Sequence, residues 1–225
     1  MALQATARPP LILPGKTDRA VFCGATGSGK TQAMLSLAAH YYGKKQIIII
    51  DTKADSGIKR LKSALATSLT AMMRFHDPVK YPLVTFRPTG AMMKDPTTFD
   101  DLFEWVYMRG KTLVLIDEAS QVCANKTYPS AGLLDMVTRG RDRGVQVWSA
   151  TQRPVAIPVI LLSEAEHIFC FELRRKADKK VVDDYTHDGF TAAIPESDHD
   201  HGVYPFAYFT PGKPTRVYRN MRQAL

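Results

Sequence analysis

Cysteine is scarce in this chain, and long apolar runs are missing. The three cysteines, Cys23, Cys123 and Cys170, are an odd number and lack metal-ligand spacing. We interpret them as reduced thiols of a cytoplasmic protein, with Cys23 and Cys170 buried in apolar, strand-like runs. No apolar run approaches the ~20 residues that a membrane span needs. We therefore expect a chain that does not itself span a membrane.

We expect no secretory signal at the start of this sequence, because its apolar piece is too short. We interpret residues 1–18 as an extended N-terminal arm. With 225 residues, of which 45% are hydrophobic, the chain suits one α/β domain with a substantial core and leaves no room for a second full domain. The sequence thus predicts a single domain at residues 19–225, with a C-terminal extension from about residue 174.

Acidic residues are too few to balance the basic ones. The net charge is +8 and the isoelectric point is near 9.4. Such a balance fits a polyanionic partner, although many proteins carry basic charge on a solvated surface.

The most informative stretch has the pattern G-x-x-x-x-G-K-[ST], between an apolar strand and a helical run. Its residues are Gly24, Ala25, Thr26, Gly27, Ser28, Gly29, Lys30 and Thr31. Glycines let successive backbone N–H groups turn inward, and the following helix adds the positive end of its dipole. The pattern therefore predicts a phosphate-binding loop (P-loop), with Lys30 on the β- and γ-phosphates of ATP and the Thr31 hydroxyl on Mg²⁺.

A second motif is the apolar strand at residues 112–116, which ends in Asp117 and Glu118. The pattern is typical of the Walker B motif, in which Asp117 would hold Mg²⁺ through water and Glu118 would deprotonate the attacking water. A carboxylate pair that caps the next helix is the alternative interpretation.

A strand at residues 145–150 is preceded by Arg139, Arg141 and Arg143 and followed by Gln152. Gln152 would lie at the carboxyl end of this strand and contact the γ-phosphate. The arginines are either a solvated or DNA-facing basic turn, or they include an arginine finger that enters a neighbouring subunit's site. The sequence does not decide which of the three would be that finger.

Taken in order, these motifs resemble the FtsK/HerA superfamily of P-loop motor ATPases, and RGRDRGVQVWSATQRP is the most specific part of the match. The small size resembles the genome-packaging ATPases of tailless internal-membrane double-stranded DNA viruses, the tectivirus type. The resemblance implies an additional-strand P-loop NTPase, an α/β fold with a mostly parallel central sheet flanked by helices. It also implies a homohexameric ring, ATP sites between subunits, and double-stranded DNA in the pore.

These inferences predict a Mg²⁺-dependent ATPase that packages a viral genome into a preformed capsid. It would act in the cytoplasm of an infected cell or at the packaging vertex of the virion, with capsid-vertex or viral membrane proteins as partners. Three alternatives stay open: a related motor that extrudes single-stranded DNA in phage assembly, a small-molecule kinase, and a nucleotide-dependent scaffold without turnover.

Several segments outside these motifs carry further expectations. Residues 58–73 are predicted to form a basic helix, and residues 204–210 and 215–219 a closing β-hairpin. The segment Asp51-Thr52-Lys53 is either a ligand-facing strand end or an ordinary turn. The basic stretch at residues 174–180 is interpreted as a solvated helix face, with a DNA-facing role as the alternative. Residues 198–201 are interpreted as an exposed polar loop, with a metal cluster as the alternative.

Overall fold

The apolar runs of the sequence form one nine-stranded sheet in the computed structural model, which describes residues 11–95, 97–123, 127 and 129–225. The strands are β1 (Ala20–Cys23), β2 (Gln46–Ile50), β3 (Ala64–Ala66), β4 (Leu83–Phe86), β5 (Thr112–Ile116), β6 (Gln146–Thr151), β7 (His167–Phe171), β8 (Phe206–Phe209) and β9 (Arg216–Tyr218). Their spatial order is β3-β4-β2-β5-β6-β1-β7-β8-β9.

The helices of the described chain vary in length from one turn to more than three. They are α1 (Lys30–Ala38), α2 (Ser56–Lys59), α3 (Leu69–Arg74), α4 (Thr97–Arg109), α5 (Ala119–Val122), α6 (Ala131–Arg139), α7 (Val159–Ser163), α8 (Lys176–Asp184) and α9 (Met221–Ala224). Short 3-10 turns at Ala39–Tyr41, Met92–Lys94, Gly140–Arg143, Pro154–Ala156 and Thr191–Ala193 complete the described elements.

Strands β1 to β7 pair in parallel with one another, and the C-terminal strands β8 and β9 run antiparallel to their neighbours. Strand β6 lies between β1, which leads into the P-loop, and β5, which ends at Asp117. This confirms the predicted additional-strand arrangement. The predicted hairpin is confirmed as β8 and β9, which extend the sheet beyond β7.

The side chains of each buried strand alternate between two hydrophobic layers. Ile48 and Ile50 face the layer covered by α3 to α8, while Ile47 and Ile49 face the layer covered by α1, α2 and α9. Every residue of β2 is buried, as expected for a parallel strand with helices on both faces.

The predicted helix at residues 58–73 is wrong. One turn of helix, α2, is followed by the short strand β3, which pairs in parallel with β4, and only then does α3 begin. A Ser63 Oγ to Thr85 Oγ1 contact of 2.8 Å fixes the approach to β3. Pairing with the free edge of β4 is a long-range interaction, and it overrides the local helical pattern.

Two other regions of uncertain interpretation lie on the surface. The basic residues after β7 lead into α8, whose buried side is formed by Asp178 and Val182. The polar run includes Asp198 and His201, which contact each other on an exposed turn.

The described part of the N-terminal segment lies against the sheet. Leu11 is buried and its N–H donates to the Ala224 carbonyl at 3.0 Å, while the Trp148 indole N–H donates to the Asp18 carbonyl at 3.2 Å. The first ten residues of the predicted arm lie outside the described residues. Among the described residues, no helix is both long enough and apolar enough to cross a membrane.

Candidate functional site

The P-loop follows β1 directly and is anchored between two neighbouring strands. The Gly24 N–H donates to the Thr151 carbonyl at 3.2 Å, and the Ala25 N–H donates to the Glu172 carbonyl at 2.8 Å. Gly27 and Gly29 have φ values of 78° and 94°, in the left-handed region that glycine adopts without strain. The loop thus turns sharply into α1, with backbone N–H groups at the helix start available to an anion.

Lys30 folds back over this loop. Its ammonium donates to the Ala25 carbonyl at 2.8 Å, and only 6% of the residue is exposed. Burial lowers the pKa of Lys30 to about 8, although the nearby Glu118 carboxylate acts in the opposite direction. A buried cation with one carbonyl partner is well suited to a phosphate group.

Ser28 supports the same conclusion. Its hydroxyl is buried and has no hydrogen-bond partner in the described part of the chain. Buried hydroxyls normally find a partner, because an unpaired one costs about 1–3 kcal/mol. The P-loop therefore has an unpaired donor and a buried cation, as expected of a site that fits a phosphate chain.

Thr31 and Asp117 lie together, although they are distant in the sequence. The Thr31 hydroxyl donates to Asp117 Oδ1 at 2.6 Å. Burial raises the pKa of Asp117, and the bond from Thr31 offsets only part of that effect. A hydroxyl and a carboxylate are the oxygen ligands that Mg²⁺ prefers, so the donor set fits the ion predicted for this pair.

Glu118 is buried and held through both of its oxygens. Oε1 accepts from Ser120 Oγ at 2.8 Å, from Thr151 Oγ1 at 3.0 Å and from the Gln152 N–H at 3.4 Å. Oε2 accepts from Lys53 Nζ at 2.7 Å. Burial acts to raise the pKa of Glu118, but the bonds from Lys53, Ser120 and Thr151 outweigh it, and the net shift is downward. The carboxylate is therefore ionised at neutral pH.

Gln152 joins the carboxyl end of β6 to the P-loop. Its side-chain Oε1 accepts from the Thr26 hydroxyl at 2.7 Å. Its backbone N–H is the same group that contacts Glu118. Gln152 thus contacts both the P-loop and the predicted catalytic carboxylate.

The three arginines lie at the opposite, amino ends of the parallel strands. They precede β6, whereas the P-loop, Glu118 and Gln152 follow the carboxyl ends of β1, β5 and β6. A strand of this length separates the two edges by about 17 Å at ~3.3 Å per residue. The structure therefore does not bring Arg139, Arg141 or Arg143 into the site of their own chain.

Each arginine has a different environment. Arg139 pairs with Asp135, and Arg141 pairs with Glu166. Arg143 donates to the Met108 carbonyl at 3.3 Å and stacks over the Tyr107 ring at 4.6 Å. Among the described residues it has no carboxylate partner.

No sequence motif assigns Lys53, Ser120 or Thr151 to the site. The strand-end position of Asp51-Thr52-Lys53 was the available signal, and the structure supports the ligand-facing alternative for Lys53 only. Asp51 is fully buried and accepts two bonds from Arg87, at 2.9 and 2.8 Å. Arg87 follows β4, so no short-range pattern could have revealed this pair.

An open groove of about 910 Å³ continues from the P-loop along α1. Its lining includes Gln32, Ser36, Tyr204 and Arg222 in addition to Lys30 and Thr31. A groove of this size beside the P-loop can hold the rest of a nucleotide.

The comparisons with known proteins agree with this geometry. No family model matches the chain. The DNA packaging ATPase P9 of Enterobacteria phage PRD1 is 25% identical over 171 residues, which cover 76% of this chain and 70% of the relative. The chain is therefore similar in sequence to that packaging ATPase over most of its length. The resemblance predicted from the motifs is thereby confirmed.

Solved structures show the same fold. The genome packaging NTPase B204 of Sulfolobus turreted icosahedral virus 2, in complex with AMPPCP, matches 91% of this chain and 98% of its own, with a TM-score of 0.67 and 20% identity. The conjugation coupling protein TcpA of pCW3 matches 90% of this chain and 60% of its own, with a TM-score of 0.55 and 15% identity. The chain therefore has the P-loop NTPase fold.

Proposed function

We propose that the chain is a Mg²⁺-dependent ATPase that moves double-stranded DNA into a preformed viral capsid. One observation carries the ATPase part: a buried Glu118, held through both of its oxygens, stands beside the Thr31–Asp117 pair at the mouth of the P-loop. A kinase has no need of a carboxylate that accepts a proton from water, so this arrangement favours hydrolysis. The packaging part is supported by the homology to the phage ATPase.

In the proposed reaction, the P-loop N–H groups and Lys30 bind the phosphates of ATP. Thr31 and Asp117 would hold Mg²⁺, which when bound neutralises charge on the phosphate oxygens. Glu118 accepts a proton from water as the water oxygen bonds to the γ-phosphorus. The bond from the γ-phosphorus to the bridging oxygen breaks, and its electron pair leaves with ADP. Gln152 contacts the γ-phosphate and reports its presence to the P-loop through Thr26.

We further propose that an arginine of the next subunit completes each site in a homohexameric ring. The three arginines lie at the amino ends of the strands, away from the site of their own chain. This position supports a role at the site of a neighbouring subunit. DNA would pass through the pore, and the net charge of +8 favours its phosphate backbone. The ring would act at the packaging vertex or in the infected cell's cytoplasm. Its partners would be capsid-vertex or viral membrane proteins.

The test is steady-state ATP hydrolysis with and without linear double-stranded DNA, at low and moderate salt. We expect DNA to stimulate turnover and the stimulation to fade as salt rises, because phosphate contacts release counterions. Lys30→Ala should abolish turnover. Glu118→Gln should lower it by about 10²–10⁴-fold while nucleotide still binds.

Two outcomes would contradict the proposal at different points. Turnover that is indifferent to DNA at every salt concentration would remove the translocase part. A Glu118→Gln variant with wild-type turnover would remove the catalytic assignment.

A further inference from the structure

The two oxygens of the Glu118 carboxylate are held in different ways. Oε1 accepts from three donors that belong to the fold around β5 and β6, namely Ser120, Thr151 and the Gln152 N–H. Among the described residues, Oε2 accepts only from the ammonium of Lys53. Since the proposed reaction needs an oxygen that takes a proton from water, Oε2 is the available one, and Lys53 occupies it.

Lys53 stands on a loop whose backbone is fixed on both sides. Before it, Asp51 is held by Arg87 and accepts from the Asp55 N–H at 2.9 Å. After it, the Asp55 side chain caps α2 through bonds to the Gly57 and Ile58 N–H groups. The Lys53 side chain itself is 31% exposed, and its described hydrogen-bond partner is Glu118.

This combination gives Lys53 a choice of partner. Its long, flexible stem carries a compact charge that can change partner without movement of the backbone. Lys53 stands near Lys30 and Asp117, because the charges of Lys53 and Asp117 both shift the pKa of Lys30. A nucleotide on the P-loop would place its terminal phosphate, a stronger anionic acceptor, in the same small volume.

We propose that Lys53 is a positioning residue that Glu118 and the terminal phosphate of the bound nucleotide compete for. Without nucleotide, Lys53 covers Oε2 and holds the carboxylate in place. With a triphosphate bound, the ammonium moves to the γ-phosphate, and Oε2 becomes free to contact water. This inference rests on the proposed function, because it needs a triphosphate on the P-loop.

The test is a double-mutant cycle read by nucleotide binding, without hydrolysis. Affinities for AMPPCP and for ADP, each with Mg²⁺, are measured calorimetrically for wild type, Lys53→Met, Glu118→Gln and the double variant. Methionine keeps the aliphatic stem and removes the charge. Lys53→Met should weaken AMPPCP binding about tenfold and ADP binding less than about twofold, because one charge-assisted bond to the γ-phosphate is lost.

Competition for Lys53 also predicts coupling between the Glu118 and Lys53 substitutions in AMPPCP affinity. Glu118→Gln should raise AMPPCP affinity about tenfold more in the wild-type background than in the Lys53→Met background. The reason is that the loss of the Glu118 charge releases the Lys53 ammonium, which Lys53→Met lacks. Lys53→Arg keeps a charge and should preserve most of this coupling. Lys59→Met, at an exposed lysine on α2, is the matched control and should change neither affinity.

The outcomes separate this inference from the proposed function. An equal rise in AMPPCP affinity in both backgrounds, or equal losses for AMPPCP and ADP in Lys53→Met, would overturn the role of Lys53 alone. Failure of the wild-type protein to bind AMPPCP would overturn both.

Discussion

Asp18 links the N-terminal segment to the sheet through side-chain contacts that no sequence motif predicts. Its Oδ2 accepts from the Gly15 N–H at 2.6 Å and from His167 Nε2 at 3.0 Å. His167 is buried, and its other ring nitrogen contacts the Tyr208 hydroxyl at 2.7 Å. Burial acts to raise the pKa of Asp18, but the bonds from His167 and Gly15 outweigh it, and the pKa lies below its ordinary value of 3.8.

Replacement of Asp18 by asparagine should therefore destabilise the protein in a pH-dependent way. At pH 7 we expect the free energy of unfolding to fall by about 1–3 kcal/mol, because a charged acceptor of two bonds is lost. A depressed folded-state pKa stabilises the fold above the unfolded-state pKa, and that stabilisation is lost as pH falls through the folded-state value. The gap between Asp18→Asn and wild type should thus narrow below pH 3.8.

Urea unfolding at several pH values measures this gap. Asp200→Asn, at an exposed carboxylate, is the control and should show little change at any pH. A gap for Asp18→Asn that stays constant down to pH 3 would show that the charge of Asp18 is not the cause.

At the scale of elements, the P-loop depends on a close approach between β1 and β7. A Cβ added to Gly24 would come within 2.6 Å of Ser28 Oγ and 2.7 Å of Phe171 Cβ. Phe171 is the last residue of β7 and is buried, so it cannot move aside without moving that strand. The first glycine of the motif thus serves strand packing as well as loop curvature.

We expect Gly24→Ala to lower the free energy of unfolding by about 1–3 kcal/mol and to weaken nucleotide binding together with it. Gly90→Ala is the matched control, because a Cβ there meets nothing within 4 Å and the backbone is not in the left-handed region. Thermal unfolding and AMPPCP titration of both variants provide the measurement. Equal stability of the two variants would mean that β7 can shift to accommodate the added Cβ at little cost, contrary to this prediction.

Strand β6 connects the two ends of the proposed mechanism. The arginine turn precedes it. Its last residue, Thr151, and the following residue, Gln152, both contact Glu118. A site between subunits would therefore place each β6 with one end at its own nucleotide and the other near its neighbour's. This arrangement makes β6 the element through which we expect neighbouring sites to communicate.

At the scale of the whole molecule, the three arginines can be separated by their partners. Arg139 and Arg141 pair with carboxylates of their own chain. Within the part of the chain that the structure describes, Arg143 contacts a carbonyl and the Tyr107 ring but no carboxylate. The Arg143 charge thus has no counter-charge within the described residues and is available to a phosphate. Arg143 is therefore the arginine that we expect to reach a neighbouring site.

Arg143→Ala should lower turnover by about 10³-fold or more with little change in nucleotide affinity, as the loss of an arginine finger does. Arg139→Ala and Arg141→Ala should have much smaller effects. Mixing inactive Arg143→Ala subunits with inactive Glu118→Gln subunits should restore activity, because about a quarter of the interfaces in a mixed ring pair an intact Glu118 with an intact Arg143. A mixture as inactive as its components would contradict action between subunits.

The resemblance to the FtsK/HerA superfamily implied the additional-strand order of the sheet. The sequence by itself determined the P-loop, the Asp117–Glu118 pair, the strand before Gln152 and the closing hairpin. These depend on short-range patterns: glycine spacing that permits a tight turn, and apolar runs long enough to be buried on both sides of a parallel sheet.

Only the tertiary structure decided the contacts that join distant segments. Lys53 meets Glu118, and Arg87 meets Asp51, because parallel strands bring the ends of separate segments to one edge of the sheet. Strand β3 replaced part of a predicted helix for the same reason, since an unpaired strand edge outweighs local propensity. Pairing across a sheet depends on topology, and no window of neighbouring residues contains that information.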